Sequence, residues 1–213
     1  MQELKFDIDD VAIMPAEGSN IITRKECKTT IDFFGEKLPL IASPMDTVVS
    51  INNYRKYIDI GIIPCIPRGF SKEHLIGNTH YFQSFGLCEI EQQIKEYKES
   101  ITHESLVWHN NRTGNFYDYP NVLIDMANAH MNKLLFIIKD IKGYWPQINL
   151  MVGNIANPET FINLGMAGVD FVRCSIGSGQ GCTTAANVSI NYPLGSLISE
   201  CYELRKQYGL KTK

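Results

Sequence analysis

Val169-Asp170-Phe171-Val172-Arg173-Cys174 runs into Ser175-Ile176-Gly177-Ser178-Gly179-Gln180-Gly181-Cys182-Thr183-Thr184, and a helical pattern opens near Pro193. The first six residues read as a strand, and the next ten as a glycine-rich loop ending in a cysteine and two hydroxyls. Glycine admits backbone conformations closed to other residues and lets a ligand approach the main chain. A cysteine at the end of such a loop is placed to act as a nucleophile. Strand, functional loop and helix in that order are the repeating unit of a parallel α/β fold.

Working outward, the same unit recurs. Leu38–Ser43 is a short apolar run stopped by Pro44, with Met45-Asp46-Thr47 as the loop at its end. A helix is expected from Ser50, a candidate cap, to Ile58, with Gly61 beyond its end. Ile62–Ile66, His80–Phe85, Asn121–Asp125, Ile148–Val152 and Val169–Cys174 complete six strands. The fifth is read as closing at Gly153-Asn154. Helices are expected over Cys88–Ser100, Ala129–Tyr144, Pro158–Met166 and Pro193–Tyr208. Residues 101–120 break the pattern and read as an inserted hairpin or loop, with Phe116, Tyr117 and Tyr119 forming a small core of its own. Such a series makes either an open doubly wound sheet or a (β/α)8 barrel, and in both the chemistry lies at the C-terminal strand ends. The polar residues fall there: Ser43 to Thr47, Arg68, Asp125 to Asn128, Gly153-Asn154 and the Cys182 loop. After Gly177 and Gly179 the third glycine of a dinucleotide fingerprint is replaced by Cys182, so the barrel is preferred. The expected fold class is therefore α/β, a (β/α)8 TIM barrel with about six βα units, forming one partial domain over residues 1–213.

Composition sets the outer limits. The chain has 213 residues, 44% hydrophobic and 20% charged, the make-up of an ordinary globular protein. A net charge of -3 gives no electrostatic reason to expect nucleic acid as a partner. No apolar run approaches the length of a membrane span. The six cysteines, Cys27, Cys65, Cys88, Cys174, Cys182 and Cys201, include no Cys-x-x-Cys pair and follow no export signal. A reducing cytoplasmic setting is expected, with most of them small buried hydrophobes. The histidines, His130 among them, do not sit in ligand spacing and read as incidental or structural.

Several segments in order resemble the inosine monophosphate dehydrogenase/guanosine monophosphate reductase family. They are Phe6–Val11, Pro39–Val48 with its Ser43-Pro44-Met45-Asp46, Asp125-Met126-Ala127-Asn128-Ala129-His130, Gly153-Asn154-Ile155-Ala156, and Gly177–Thr184. The resemblance implies a purine-nucleotide oxidoreductase in which the Cys182 thiolate adds to purine C2 and the adduct exchanges hydride with NADP or NAD. It implies Cys182 as nucleophile and Thr184 as the assisting hydroxyl. Ser43, Met45, Asn154, Arg173 and Gln180 would meet the nucleotide, and Asp125, Ala127 and Asn128 the cofactor. Backbone carbonyls of Gly177, Gly179 and Cys182 would hold a monovalent cation such as K+. Missing regulatory sequence between strands two and three, Asp125-x-Ala127-Asn128 and Tyr192-Pro193 point to the reductase branch, GMP to IMP with NADPH. Gly177-Ser178-Gly179 with Arg173 points to the dehydrogenase branch, IMP to XMP with NAD. Departures from the family pattern stand at Gln180, Ala185 and Ser189–Leu194. After Lys213 the family would enter a seventh strand, so the expectation is a homo-oligomer, or pairing with a complementing C-terminal fragment; a catalytically inactive nucleotide-binding remnant is the alternative.

Overall fold

A computed structural model describes residues 4–33, 35–70, 80–103, 115–177 and 183–213. Six parallel strands form one sheet: β3 (Ile41–Ala42), β4 (Ile63–Ile66), β5 (Phe82–Phe85), β6 (Asn121–Asp125), β7 (Asn149–Ile155) and β8 (Phe171–Cys174), hydrogen-bonded in chain order. A two-stranded antiparallel hairpin, β1 (Ile31–Asp32) and β2 (Glu36–Lys37), precedes them. The helices are α1 (Tyr54–Asp59), α2 (Leu87–His103), α3 (Asn132–Tyr144), α4 (Pro158–Met166), α5 (Thr183–Val188) and α6 (Leu194–Gln207). The sheet is curled so far that its two edge strands help to line one cavity, Ile41 and Ser43 from the β3 side and Arg173 and Cys174 from β8. The architecture is an α/β half-barrel, an incomplete TIM barrel.

Strand periodicity explains the two layers of core. Successive side chains of a strand point to opposite faces. Ile66, Phe85, Val122, Ile124, Leu150 and Val152 belong to the outer core with Ile90, Leu134, Ile138, Ile141, Leu164 and Leu197 of the helices. The alternate residues Ile63, Cys65, Phe82, Leu123 and Met151 form a separate inner cluster, closed by Phe33 and Phe171. Phe33, from the turn of the hairpin, sets its ring edge-on against Phe171, with centroids 4.9 Å apart. The unanticipated hairpin thus plugs the floor of the half-barrel with an aromatic side chain.

Several elements differ from the sequence reading, each for a local reason. α1 starts at Tyr54 because Asn53 Oδ1 accepts the Ser50 amide at 2.7 Å, turning residues 50–53 into a separate turn. β7 continues past Gly153-Asn154 to Ile155, since Gly153 pairs with Arg173 and Ile155 with Cys174 across an irregularity in register. α3 begins three residues after Ala129, the Ala129 amide being held instead by the Asn154 carbonyl at 3.0 Å. α5 follows the cysteine loop directly, ahead of the helix expected near Pro193. The 104–114 part of the expected insertion lies outside the described residues. Phe116 and Tyr119 are buried, and they pack edge-on against Phe85 and, for Phe116, Trp145, so they extend the main core.

At the other end of the strands, the tail runs along β8. Lys213 donates its amide to the Asp170 carbonyl at 2.9 Å and accepts the Val172 amide at 2.8 Å. Among the described residues no helix is long and apolar enough to cross a membrane.

Candidate functional site

The inward-facing residues just above the inner cluster are no longer apolar. Past the inner cluster, the alternation brings Ser43, Asp125 and Arg173 to the strand ends, with Asp125 level with Gly153 and Gly153 level with Arg173. This polar layer lies at the C-terminal strand ends, where a barrel carries its chemistry. A cavity of about 310 Å³ opens onto it, lined by Ser43, Cys65, Asn154, Arg173, Cys174 and Ser175 among others. A larger cleft, about 570 Å³, lies between α2 and α3 on the outer surface. Its charged lining is largely paired, Lys133 with Glu91 and Lys98 with Asp140. The smaller cavity is the candidate site because the strand ends converge on it.

One ion cluster spans the mouth. Arg173 donates Nη1–H to Asp125 Oδ1 at 2.6 Å, and Arg68 Nη2 stands 3.8 Å from Oδ2 of the same carboxylate. Two guanidinium groups therefore share one carboxylate in a partly buried setting, which leaves a surplus of positive charge at the mouth. Gly153 makes the approach of β7 to β8 possible: a Cβ there would lie 2.5 Å from Arg173 Cβ and 2.7 Å from its carbonyl oxygen. Gly86 leaves room for the Arg68 guanidinium: a Cβ on it would lie 3.1 Å from Arg68 Nη1, a contact the flexible side chain can relieve by a small shift.

The exit from β8 is held just as firmly. Ser175 has φ +118°, a conformation that costs energy for a residue with a Cβ and is found where surrounding contacts impose it. Those contacts are its amide on the Ile155 carbonyl and its carbonyl on Asn154 Nδ2, both at 2.8 Å. Asn154 is fixed in turn by its own amide, which donates to the Met126 carbonyl at 2.6 Å. Gly177 follows at φ +90°, where an added Cβ would press on Ala185 and Asn191 at 3.0 Å. The loop that leaves Gly177 thus starts from a rigid platform.

Residues 115–212 match the family model of the IMP dehydrogenase / GMP reductase domain. GMP reductase of Klebsiella pneumoniae subsp. pneumoniae is 24% identical over 207 residues, an alignment that takes in 94% of this chain and 58% of that protein. GMP reductase 2 of Mus musculus is 25% identical over 226 residues, covering 98% and 60%. GMP reductase of Bacillus thuringiensis is 28% identical over 187 residues, covering 86% and 54%. Over these residues the chain is similar to the IMP dehydrogenase / GMP reductase family. It spans little more than half the length of these curated relatives.

Of the residues this family resemblance singles out, Ser43, Asn154 and Arg173 line the cavity, and Asp125 reaches it through its pair with Arg173. Asp125 does not cap the following helix, whose N-cap is Met131. Ala127 and Asn128 are exposed on the rim beside it. Met45 is 56% exposed and is not among the lining residues. Thr184 lies in the first turn of α5. Gly179, Gln180 and Cys182 lie outside the described residues, between Gly177 and Thr183.

Sequence reasoning missed three participants. Arg68 was legible only as a polar residue at a strand end. Cys174 lines the cavity, and a hydrogen bond with Cys201 lowers its pKa against the opposing effect of burial. Cys201 is raised by the same hydrogen bond and by its burial. Cys65, also in the lining, is pushed up to about 12 by burial and is an inert thiol at neutral pH. No spacing in the sequence separates these two cysteines; only their surroundings do. His130, read as structural, bridges two strand ends: its ring meets Asn128 Oδ1 at 2.5 Å and the Ala156 amide at 3.0 Å.

Proposed function

We propose that this chain carries the nucleophile and half-barrel site of a nicotinamide-dependent purine-nucleotide oxidoreductase, acting as a GMP reductase. The observation that carries the reading is the convergence of Ser43, Asp125, Asn154 and Arg173 on one mouth at the exit toward Cys182. The names of the relatives supply the substrate. Cys182, as thiolate, attacks purine C2 of GMP. The bond from C2 to the exocyclic nitrogen then breaks, and the nitrogen departs as ammonia with protons delivered through the Thr184 hydroxyl. Reduced NADP, when bound, supplies the hydride that C2 receives. The C2–S bond then breaks, returning the thiolate and releasing IMP.

The residues present fit such a cofactor. Asp125 keeps carboxylate lone pairs beyond the one that accepts from Arg173, and a ribose hydroxyl can donate to them. Ala127 and Asn128 offer a small side chain and an amide on the open rim. Ser43, Asn154, Arg173 and Gln180 would orient the nucleotide, with Met45 at its outer edge. The carbonyl of Gly177, with those of Gly179 and Cys182, would hold K+. Self-association is part of the proposal, supported by the exposed apolar residues Leu40 and Ile41 along the β3 edge.

The test is turnover by the purified protein, followed at the nicotinamide absorbance band with GMP plus NADPH. A parallel assay with IMP plus NAD addresses the dehydrogenase direction, which Arg173 and the Gly177-Ser178-Gly179 sequence favour. Calorimetric binding of GMP, IMP and both dinucleotides should accompany them. Binding of no purine nucleotide would sink the reading. Binding without turnover in either direction would leave a nucleotide-binding protein and remove the enzyme.

A further inference from the structure

His130 stands two residues beyond Asn128 in the loop from β6 to α3. The contact with the Ala156 amide sets which ring nitrogen accepts. The Ala156 amide can only donate, so Nε2 accepts from it at 3.0 Å. The ring is neutral in that arrangement, and its proton sits on Nδ1. Burial also lowers its pKa, which favours the neutral ring. Nδ1–H faces Asn128 Oδ1 at 2.5 Å, and the His130 backbone amide donates to that same oxygen at 3.0 Å. Both donors would meet an NH2 group if the Asn128 amide turned over, so they fix its orientation.

We propose that His130 is a positioning residue: it pins the β6–α3 loop to the end of β7 and holds Asn128 so that its Nδ2 amino group is what the rim offers to a bound dinucleotide. The oxygen of the Asn128 side chain is doubly engaged, so the exposed amide acts toward a ligand as a donor. The matching ligand chemistry is an oxygen acceptor, as a dinucleotide carries in its carboxamide, ribose and phosphate groups. Ala156 directly follows β7, and the Met126 and Ala129 amides bond the Gly153 and Asn154 carbonyls. The histidine therefore closes a loop already stitched to the catalytic strand ends. This assignment rests on the functional reading above.

The experiment compares NADPH and GMP binding by calorimetry in the native protein, His130→Phe, His130→Gln and Asn128→Asp, with a thermal melt for each. His130→Phe is expected to weaken NADPH about 10-fold, the loss of one well-placed hydrogen bond, with GMP affinity within about twofold. His130→Gln, which keeps a donor and an acceptor, should recover most of it. Asn128→Asp should weaken NADPH at least as much as His130→Phe. Ring 15N shifts of the native protein should show the proton on Nδ1, a readout that needs no variant to fold. A proton on Nε2, or NADPH affinity unchanged in a folded His130→Phe, would overturn the proposal alone. Absence of NADPH binding by the native protein would overturn it together with the functional reading.

Discussion

Asp125 and Asp170 are the same residue type at opposite ends of the same three strands, and their surroundings differ. Asp170, at the N-terminal end of β8, accepts Lys142 Nζ at 2.6 Å and the Leu150 amide at 2.7 Å on one oxygen. Its backbone carbonyl takes the Lys213 amide, and Lys142 also donates to the Ile148 carbonyl at 2.7 Å. Every partner there is a piece of scaffold. Asp125, at the C-terminal end of β6, is shared by two arginines beside a cavity, with exposed Ala127 and Asn128 next along the chain. The floor spends its carboxylate on holding strands together, while the mouth keeps lone pairs and positive charge for a ligand. That division follows barrel geometry, in which C-terminal strand ends carry function and N-terminal ends carry stability.

The sharpest way to break the comparison is Cys182→Ala. It should lower turnover on the order of 10³-fold or more without moving the melting temperature. Cys65→Ala should keep most activity, and a larger loss from Cys174→Ala than from Cys182→Ala would transfer the nucleophile to the cavity-lining thiol. Next in size, Asp125→Asn should reduce kcat/KM about 10²-fold by releasing Arg173 and Arg68 from their shared partner. A stability loss with unchanged kinetics in that variant would make the mouth a second floor. Asp170→Asn should do the reverse, costing about 1–2 kcal/mol in chemical denaturation while the folded protein keeps its kinetics. The pair is partly exposed, which keeps that figure modest.

The smallest effect is a pH dependence. His130 is half-buried, and its pKa is lowered in the fold by burial. The unfolded chain therefore binds a proton more readily, and this contribution to stability is complete above the ordinary value near 6.5 and fades as pH falls below it. Denaturation midpoints measured from pH 7.5 down to about pH 5 should fall less in His130→Gln than in the native protein. Equal slopes would show that the ring is not held neutral.

How much of this was legible varies by feature. Asn121–Asp125 and Pro158–Met166 match their expected bounds, because a bounded apolar run and an Asn-Pro helix start are local signals. β3 shrinks to Ile41–Ala42 because an edge strand is defined by the neighbour it meets. The hairpin that carries Phe33 has short, exposed, mixed strands, and its purpose shows only when the ring reaches Phe171.

By itself, the sequence determined the alternation of strand and helix, the parallel α/β class, the family resemblance, and which polar residues stand at strand ends. Those follow from period, turn chemistry and motif order, all local along the chain. Tertiary structure alone decided that Arg173 meets Asp125 across 48 residues and that Arg68 joins them. It also decided that burial raises the Cys65 thiol while a hydrogen bond with Cys201 lowers Cys174, and that His130 meets the Asn128 side chain. The reason is physical: a carboxylate's partners, a thiol's proton affinity and an amide's orientation depend on what the curled sheet brings within a few ångströms.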